Sequence, residues 1–362
     1  MSLNSSPAIQ SLLLYCRAGF EKECAVEIAD TAAALGVAGY CKAKPDSGYV
    51  QFVPTDPAAA ALLRQLQPSQ LIFARQLVCG AEFLGGLPVT DRLEVLLPAI
   101  QRLGNRFAGL RLETADTNEA KELSVFCRKF AAPLRQALQR HGIDVAAADA
   151  PNLHLFFLSS TAVHVGWSDP AVASPWLMGI PRLKFPSGAP SRSTLKLEEA
   201  FLTFLNESER QALLRPGLTA VDLGAAPGGW TWQLVKRGLK VTAVDNGPMA
   251  PALMESGLVE HLKVDGFRYH PPKPVDWLVC DIVEQPIRIA ALVARWLEEG
   301  DCRRAIFNLK LPMKKRYEEL QRCRAVIDGA LAGTPGAGKL RFKQLYHDRE
   351  EVTGYVGPAD HS

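Results

Sequence analysis

The chain has 362 residues, of which 48% are hydrophobic and 22% charged, and it carries a net charge of +3. That balance excludes a disordered or fibrous chain, predicts sizeable cores shared among two or three domains, and permits a polyanionic partner without demanding one. No apolar run reaches the about 18 residues of a membrane span, and the opening MSLNSSPAIQ lacks the charged and apolar regions of a leader, so a cytoplasmic protein is expected; a monomer is also expected, though residues alone do not fix the oligomeric state.

In chain order, LLLYCRA (12–18) reads as a strand, and FEKECAVEIADTAAAL has helical spacing, with Phe20, Cys24, Ile28 and Ala32 on one face. GYVQFVP (48–54) is a second strand, and PAAAALLRQL starts another helix with proline near its beginning. A small α+β unit is therefore expected over 1–82. A second unit, 83–169, holds two amphipathic helices, LEVLLPAIQRL and LSVFCRKFAAPLRQALQRHG, the latter closed by Gly142. LHLFFLSSTAVHVGWS (153–168) predicts a hairpin turning at Ser159, Ser160 and Thr161. Pro170, Pro175, Pro181, Pro186 and Pro190 preclude a regular element over 170–192, which reads as a linker.

From residue 193 the rhythm changes. LKLEEAFLTFL, TWQLVKRG and IRIAALVARWLEEG are helical, and TAVDLG, LKVTAVD, DWLVCD and RAIFNLK are apolar strands. Apolar strands alternating with helices predict an α/β fold, a doubly wound parallel sheet covered on both faces, over 193–362.

In such a sheet ligands sit beyond the carboxyl ends of the strands. TAVDLG delivers Gly224 there, followed by Ala225-Ala226-Pro227-Gly228-Gly229, where glycine lets backbone approach a ligand. Asp245 ends the next strand, 21 positions on, where a carboxylate can accept both ribose hydroxyls of an adenosine. Asp265, in KVDGF, is expected to end a third strand and to accept from an adenine amino group. G-A-A-P-G-G matches neither the dinucleotide fingerprint nor a phosphate-binding loop. An adenosine cofactor without phosphate fits better, namely S-adenosylmethionine.

VDLGAAPGGW (221–230) resembles motif I of the FtsJ-like ribose 2′-O-methyltransferases. That family has a Lys–Asp–Lys–Glu tetrad, which the resemblance carries onto Lys196 in SRSTLKLEEA, Asp281 in LVCDIVE, Lys310 in FNLKLP and Glu351 in DREEVTGYV, with Glu350 as competitor. The upstream regions are similar to a ferredoxin-like piece (1–82) and a THUMP RNA-binding domain (83–169). The whole chain thereby resembles the RlmM-type methyltransferases, which modify a cytidine 2′-hydroxyl in the peptidyl-transferase loop of 23S ribosomal RNA. The resemblance implies cofactor contacts from Ser193, from the loop residues Ala226, Pro227, Gly228 and Gly229, and from Asp245, Asp265 and Asp281. Many relatives begin that loop with cysteine-proline, where this chain has Ala226-Pro227.

The tetrad makes chemical sense, because a ribose hydroxyl is a poor nucleophile until its proton leaves. Lys310, if neutral, can take that proton, while Lys196 and Asp281 orient it and Glu351 orients a lysine or screens charge. To work near neutral pH the Lys310 pKa is expected to fall from about 10.4 toward 7–8, through desolvation and the like charge of Lys196, against the opposing pull of its acidic partners. Arg182, Lys184, Arg192 and Lys196 form one basic group, Lys314, Lys315 and Arg316 beside Lys310 a second, and Lys339, Arg341 and Lys343 a third. Such groups contact phosphates, which position RNA without reading it.

Other chemistries fit less well. Cys280 invites cytosine C5-methylation, but the required Pro-Cys turn and second cysteine are not evident, and a buried strand cysteine is the simpler reading. Asp281-Ile282-Val283-Glu284 lacks the Asn/Asp-Pro-Pro-Tyr pattern of amino-group methylation. The eight cysteines form no C-x-x-C pair and the seven histidines show no metal spacing, so no metal is expected. Trp230 and Trp232 read as core. The rival functions are an RNA-binding assembly factor that has lost catalysis, and a small-molecule methyltransferase.

Overall fold

The computed structural model describes residues 9–333 and 338–357; most of the opening segment read for a leader, 1–8, lies outside them. The chain divides into two compact units, Met1–Pro181 and Arg182–Ser362.

The first unit runs β1 (Leu12–Tyr15), α1 (Glu21–Ala34), β2 (Gly39–Ala43), β3 (Tyr49–Pro54), β4 (Gln76–Gly85), α2 (Leu93–Leu103), β5 (Gly109–Thr114), α3 (Ala120–Arg140), β6 (Asn152–Ser159) and β7 (Ala162–Ser168). These strands form one seven-stranded sheet in the order β2-β3-β1-β4-β7-β6-β5. β4 pairs with β1 on one side and β7 on the other, so the boundary expected at 82 and 83 falls inside a strand. PAAAALLRQL forms a 3₁₀-helix, Ala59–Gln65, rather than the expected α-helix. Ala60, Leu63 and Leu66 are buried at intervals of three, the 3₁₀ period. Leu66 is already extended (φ −70°, ψ 134°), which ends the helix, and Pro68 keeps Gln67 extended after it (φ −116°, ψ 138°).

The proline-rich segment has one short 3₁₀ turn, Leu177–Gly179. It is pinned where Glu113 accepts a hydrogen bond from the Met178 amide at 2.6 Å. The same buried carboxylate receives the Tyr15 hydroxyl (2.9 Å) and lies 2.8 Å from His154 Nδ1.

The second unit runs α4 (Thr194–Phe204), α5 (Glu207–Leu213), β8 (Thr219–Leu223), α6 (Gly229–Val235), β9 (Lys240–Val244), α7 (Pro251–Met254), β10 (Val259–Leu262), β11 (Trp277–Cys280), α8 (Pro286–Glu298), β12 (Ala305–Lys310), α9 (Arg316–Ala332), β13 (Lys339–Lys343) and β14 (Glu351–Gly357). The sheet order is β10-β9-β8-β11-β12-β14-β13. β8 to β12 and β10 are parallel, as expected of near-continuous apolar strands. β14 departs from that expectation: it is antiparallel to both β12 and β13, because residues 344–350 return the chain directly beside the strand it has left. Phe201, Trp277 and Tyr355 centre the core between the sheet and its α4 face. The chain steps outward from β8 to β9 and β10, then crosses back to β11, so the topological switch lies between β8 and β11.

Candidate active site

At the carboxyl end of β8 the chain must turn away within one residue. Gly224 does so with φ +76°, and Ile282 packs so close that a Cβ there would lie 2.7 Å from its Cγ1. Gly228 caps α6 in a left-handed conformation, φ +112°. A Cβ at Gly229 would collide with the Ser193 and Ser191 hydroxyls, which bond to each other at 2.6 Å. The Trp230 indole donates to the Ser193 carbonyl (3.1 Å) and Gln233 to the Thr194 carbonyl (3.1 Å), so α6 anchors the first turn of α4. Trp230 is core, as expected, while Trp232 is half-buried under Lys236. Asp245, one residue past β9, accepts the Ala226 amide (3.0 Å) and the Gly247 amide (2.7 Å). It therefore braces the glycine loop from the neighbouring strand.

Asp265 does not end a strand. The β9–β10 ladder stops at the Val244–Leu262 pair, so the chain is already turning when it reaches Asp265. That residue is exposed; its carboxylate accepts the Phe267 amide at 2.9 Å and lies 3.7 Å from Arg268.

Beside the loop, four charged residues converge from four elements. Lys196 lies on the first turn of α4, Asp281 follows β11, Lys310 ends β12, and Glu351 begins β14 directly opposite Lys310 in the ladder. Asp281 Oδ1 accepts Lys310 Nζ at 2.7 Å and Oδ2 accepts Lys196 Nζ at 3.3 Å. Glu351 bonds both lysines, one with each oxygen. Glu350 points away, with its side chain 64% exposed and bonded to Arg316 at 2.5 Å.

Two ammonium groups face two carboxylates, and this charge balance overturns the expected depression of Lys310. Burial works against its charge, but Asp281 and Glu351 together outweigh burial and hold the ammonium above the ordinary lysine value. The like charge of Lys196, expected to help lower Lys310, does not prevail against the two carboxylates.

Several polar residues escaped the sequence reading. Asp222 is buried in β8, receives the Thr231 hydroxyl at 2.6 Å, and is pushed up to about 7 by burial. Asn308 donates to Asp281 at 3.1 Å and receives the Thr353 hydroxyl at 2.7 Å. Glu199, one helical turn beyond Lys196, accepts the Tyr346 and His347 amides at 2.8 and 2.9 Å. The available signal was a polar residue inside an apolar strand or helix face, which survives burial only with a partner.

The basic groups separate by environment. Arg192, Lys184, Lys314 and Lys315 are exposed. Arg182 stacks on Tyr346, and Arg316 is engaged by Glu350. In the third group Lys343 is buried and Arg341 donates to the Phe204 carbonyl at 2.5 Å, so both serve the fold. Cys280 is fully buried in β11, with its thiol pushed up to about 12 by burial. No helix among the described residues is long and apolar enough to cross a membrane.

Comparison with known proteins places the chain among methyltransferases of ribosomal RNA. The RlmM ferredoxin-like domain matches residues 9–78, the N-terminal region of ribosomal RNA large subunit methyltransferase M matches 91–169, and the FtsJ-like methyltransferase matches 189–299. A ribosomal RNA large subunit methyltransferase M from Methylococcus capsulatus is 56% identical over 347 residues, covering 96% of this chain and 97% of its own length. Its counterpart from Aromatoleum aromaticum is 54% identical, covering 95% and 94%. The solved structure of TrmN from Thermus thermophilus is far more distant, 15% identical with a TM-score of 0.35 over 96% of this chain and 99% of its own. The family resemblance is met along nearly the whole sequence, and the chain belongs to the ribosomal RNA large subunit methyltransferase M family.

Proposed function

We propose that the protein methylates ribosomal RNA of the large subunit: it transfers a methyl group from S-adenosylmethionine to the 2′-hydroxyl of a cytidine in the peptidyl-transferase loop of 23S RNA. The observation that carries this reading is the cluster of Lys196, Asp281, Lys310 and Glu351 at the carboxyl ends of β11 and β12, next to the glycine loop.

The residues present fit the cofactor. Gly224 and Gly228 take positive φ, +76° and +112°, so the loop presents bare backbone, and the Asp245 carboxylate stands beside it on the Ala226 and Gly247 amides. Ser193, Ala226, Pro227, Gly228, Gly229, Asp245, Asp265 and Asp281 would hold it. S-adenosylmethionine, when bound, supplies an electrophilic methyl group on a sulfonium. The chain's own task is to orient the hydroxyl and remove its proton. Lys310 serves as general base once neutral, and Asp281 and Glu351 receive hydrogen bonds from it in either state of the cycle. Lys196 balances the carboxylates and keeps them from drawing the hydroxyl proton themselves.

In this reading the first unit, 1–181, with its THUMP-like part, selects the RNA, the catalytic domain lies within 182–362, and the protein acts as a cytoplasmic monomer. Arg192, Lys184, Lys314 and Lys315 contact phosphates. The test is to map 2′-O-methyls in 23S RNA from a strain lacking this protein. One missing methyl, restored by the wild-type gene and not by a Lys310→Ala gene, is expected; an unchanged map overturns the proposal.

A further inference from the structure

Beneath the lysine–carboxylate cluster lies a line of buried polar side chains with a defined direction. Asn308 and Thr353 are fully buried and directly paired between β12 and β14, and Asp348 is 1% exposed. Asn308 Nδ2 lies 3.1 Å from Asp281 Oδ1, an oxygen that already accepts Lys310. A carboxylate held by two ammonium groups has no proton to give, so the Asn308 amide must donate. That turns Asn308 Oδ1 toward Thr353, whose hydroxyl is 2.7 Å away. A carbonyl oxygen only accepts, so the single hydroxyl proton of Thr353 is committed there.

Thr353 Oγ1 also lies 3.2 and 3.0 Å from the two oxygens of Asp348. With its proton committed, the hydroxyl can only accept in that contact. Asp348 must therefore bring a proton of its own. Its Oδ2 receives the Leu345 amide at 2.9 Å, which leaves Oδ1 to carry that proton.

We infer that Asp348, Thr353 and Asn308 form a one-way donor chain in which a protonated Asp348 positions Asp281 as a pure acceptor between the two lysines. Burial, and then the charge of Glu351, push the Asp348 carboxyl well above its ordinary value, in keeping with this direction. None of the three residues faces the crevice as a reacting group. They are positioning residues, acting through Asp281, and the inference rests on the proposed methyl-transfer role of that cluster.

The experiment compares full-length Thr353→Val, Thr353→Ser and Asp348→Asn with wild type, using 23S RNA from a strain lacking the protein and labelled S-adenosylmethionine. Thr353→Val keeps the shape and removes the link; kcat should fall about 10–100-fold, as for misplacement of a reacting group, with KM and cofactor Kd within about twofold of wild type. Thr353→Ser should restore kcat. Asparagine at 348 is a neutral donor of the same shape, so Asp348→Asn should keep kcat within about twofold of wild type. Infrared difference spectra of wild type against Asp348→Asn should show a protonated carboxyl band at neutral pH. Wild-type kcat in Thr353→Val, an inactive but folded Asp348→Asn, or the absence of that band each overturns the chain. Should Thr353→Val fail to fold, Asp348→Asn and the infrared band decide. A wild-type protein without activity on the RNA would instead sink the proposed function, and the band would still decide the direction of the chain.

Discussion

Replacing Glu351 by glutamine keeps the shape of the cluster and removes one of the two carboxylates that hold Lys310 protonated. The size of the effect follows from charge separation. At the 2.7 Å found for the companion Lys310–Asp281 pair, Coulomb attraction at an effective permittivity of ~20 is about 6 kcal/mol. The Lys310 side chain is 24% exposed, and solvent screening reduces this to about 2–3 kcal/mol. At 1.36 kcal/mol per pK unit, the base should titrate about 1.5–2 pH units lower in the variant. The assay is single-turnover methyl transfer to 23S RNA at saturating cofactor, followed from pH 6 upward. Because Lys310 is held above the ordinary lysine value, the wild-type rate should climb about tenfold per pH unit through the accessible range without levelling. In Glu351→Gln the neutral fraction of Lys310 at any pH in that range should be about 30–100-fold larger, so the profile keeps the same slope and lies above the wild type's, by less than that factor because the lysines are held more loosely. A variant profile at or below the wild type's across the range would mean that proton loss from Lys310 does not limit the rate, and the reasoning fails.

Lys310→Ala should abolish methylation while leaving cofactor affinity nearly intact by calorimetry. Lys310→Arg should fail equally, since guanidinium keeps its proton; substantial methyl transfer by the arginine variant would make Lys310 an electrostatic clamp. Asp245 braces the Ala226 and Gly247 amides, so Asp245→Ala should weaken S-adenosylmethionine binding by about 1–3 kcal/mol, and tight binding of NAD by the wild type would sink the cofactor assignment. Asp222 rises from 3.8 to about 7 on folding, chiefly through burial. Between those values the folded state binds the extra proton, so stability from this group is full below pH ~4 and falls by up to ~4 kcal/mol as pH rises to ~7. Asp222→Asn should flatten that decline in urea unfolding at pH 4 to 8, and an unchanged slope would show that Asp222 does not cause it.

Much of this molecule is local in origin and therefore legible in the chain. The apolar runs TAVDLG, DWLVCD and RAIFNLK could only be strands buried on both faces, and Gly224, Gly228 and Gly229 had to mark a close turn at their ends, because period and backbone freedom are properties of a few consecutive residues. The order of Lys196, Asp281, Lys310 and Glu351 around motif I was likewise visible as a resemblance. Register and burial were not, since both depend on partners distant in sequence. Whether Glu350 or Glu351 faces the lysines is set by the Lys310–Glu351 pair of an antiparallel ladder, and a one-residue slip would exchange them. β4 reads as an ordinary strand, yet only pairing on both sides makes it join two expected domains into one sheet. The direction of the Lys310 shift was misjudged for the same reason: sequence order names the charges, but their balance depends on distances. Those distances were decided only when β14 returned antiparallel beside β12 and brought Glu351 against both lysines.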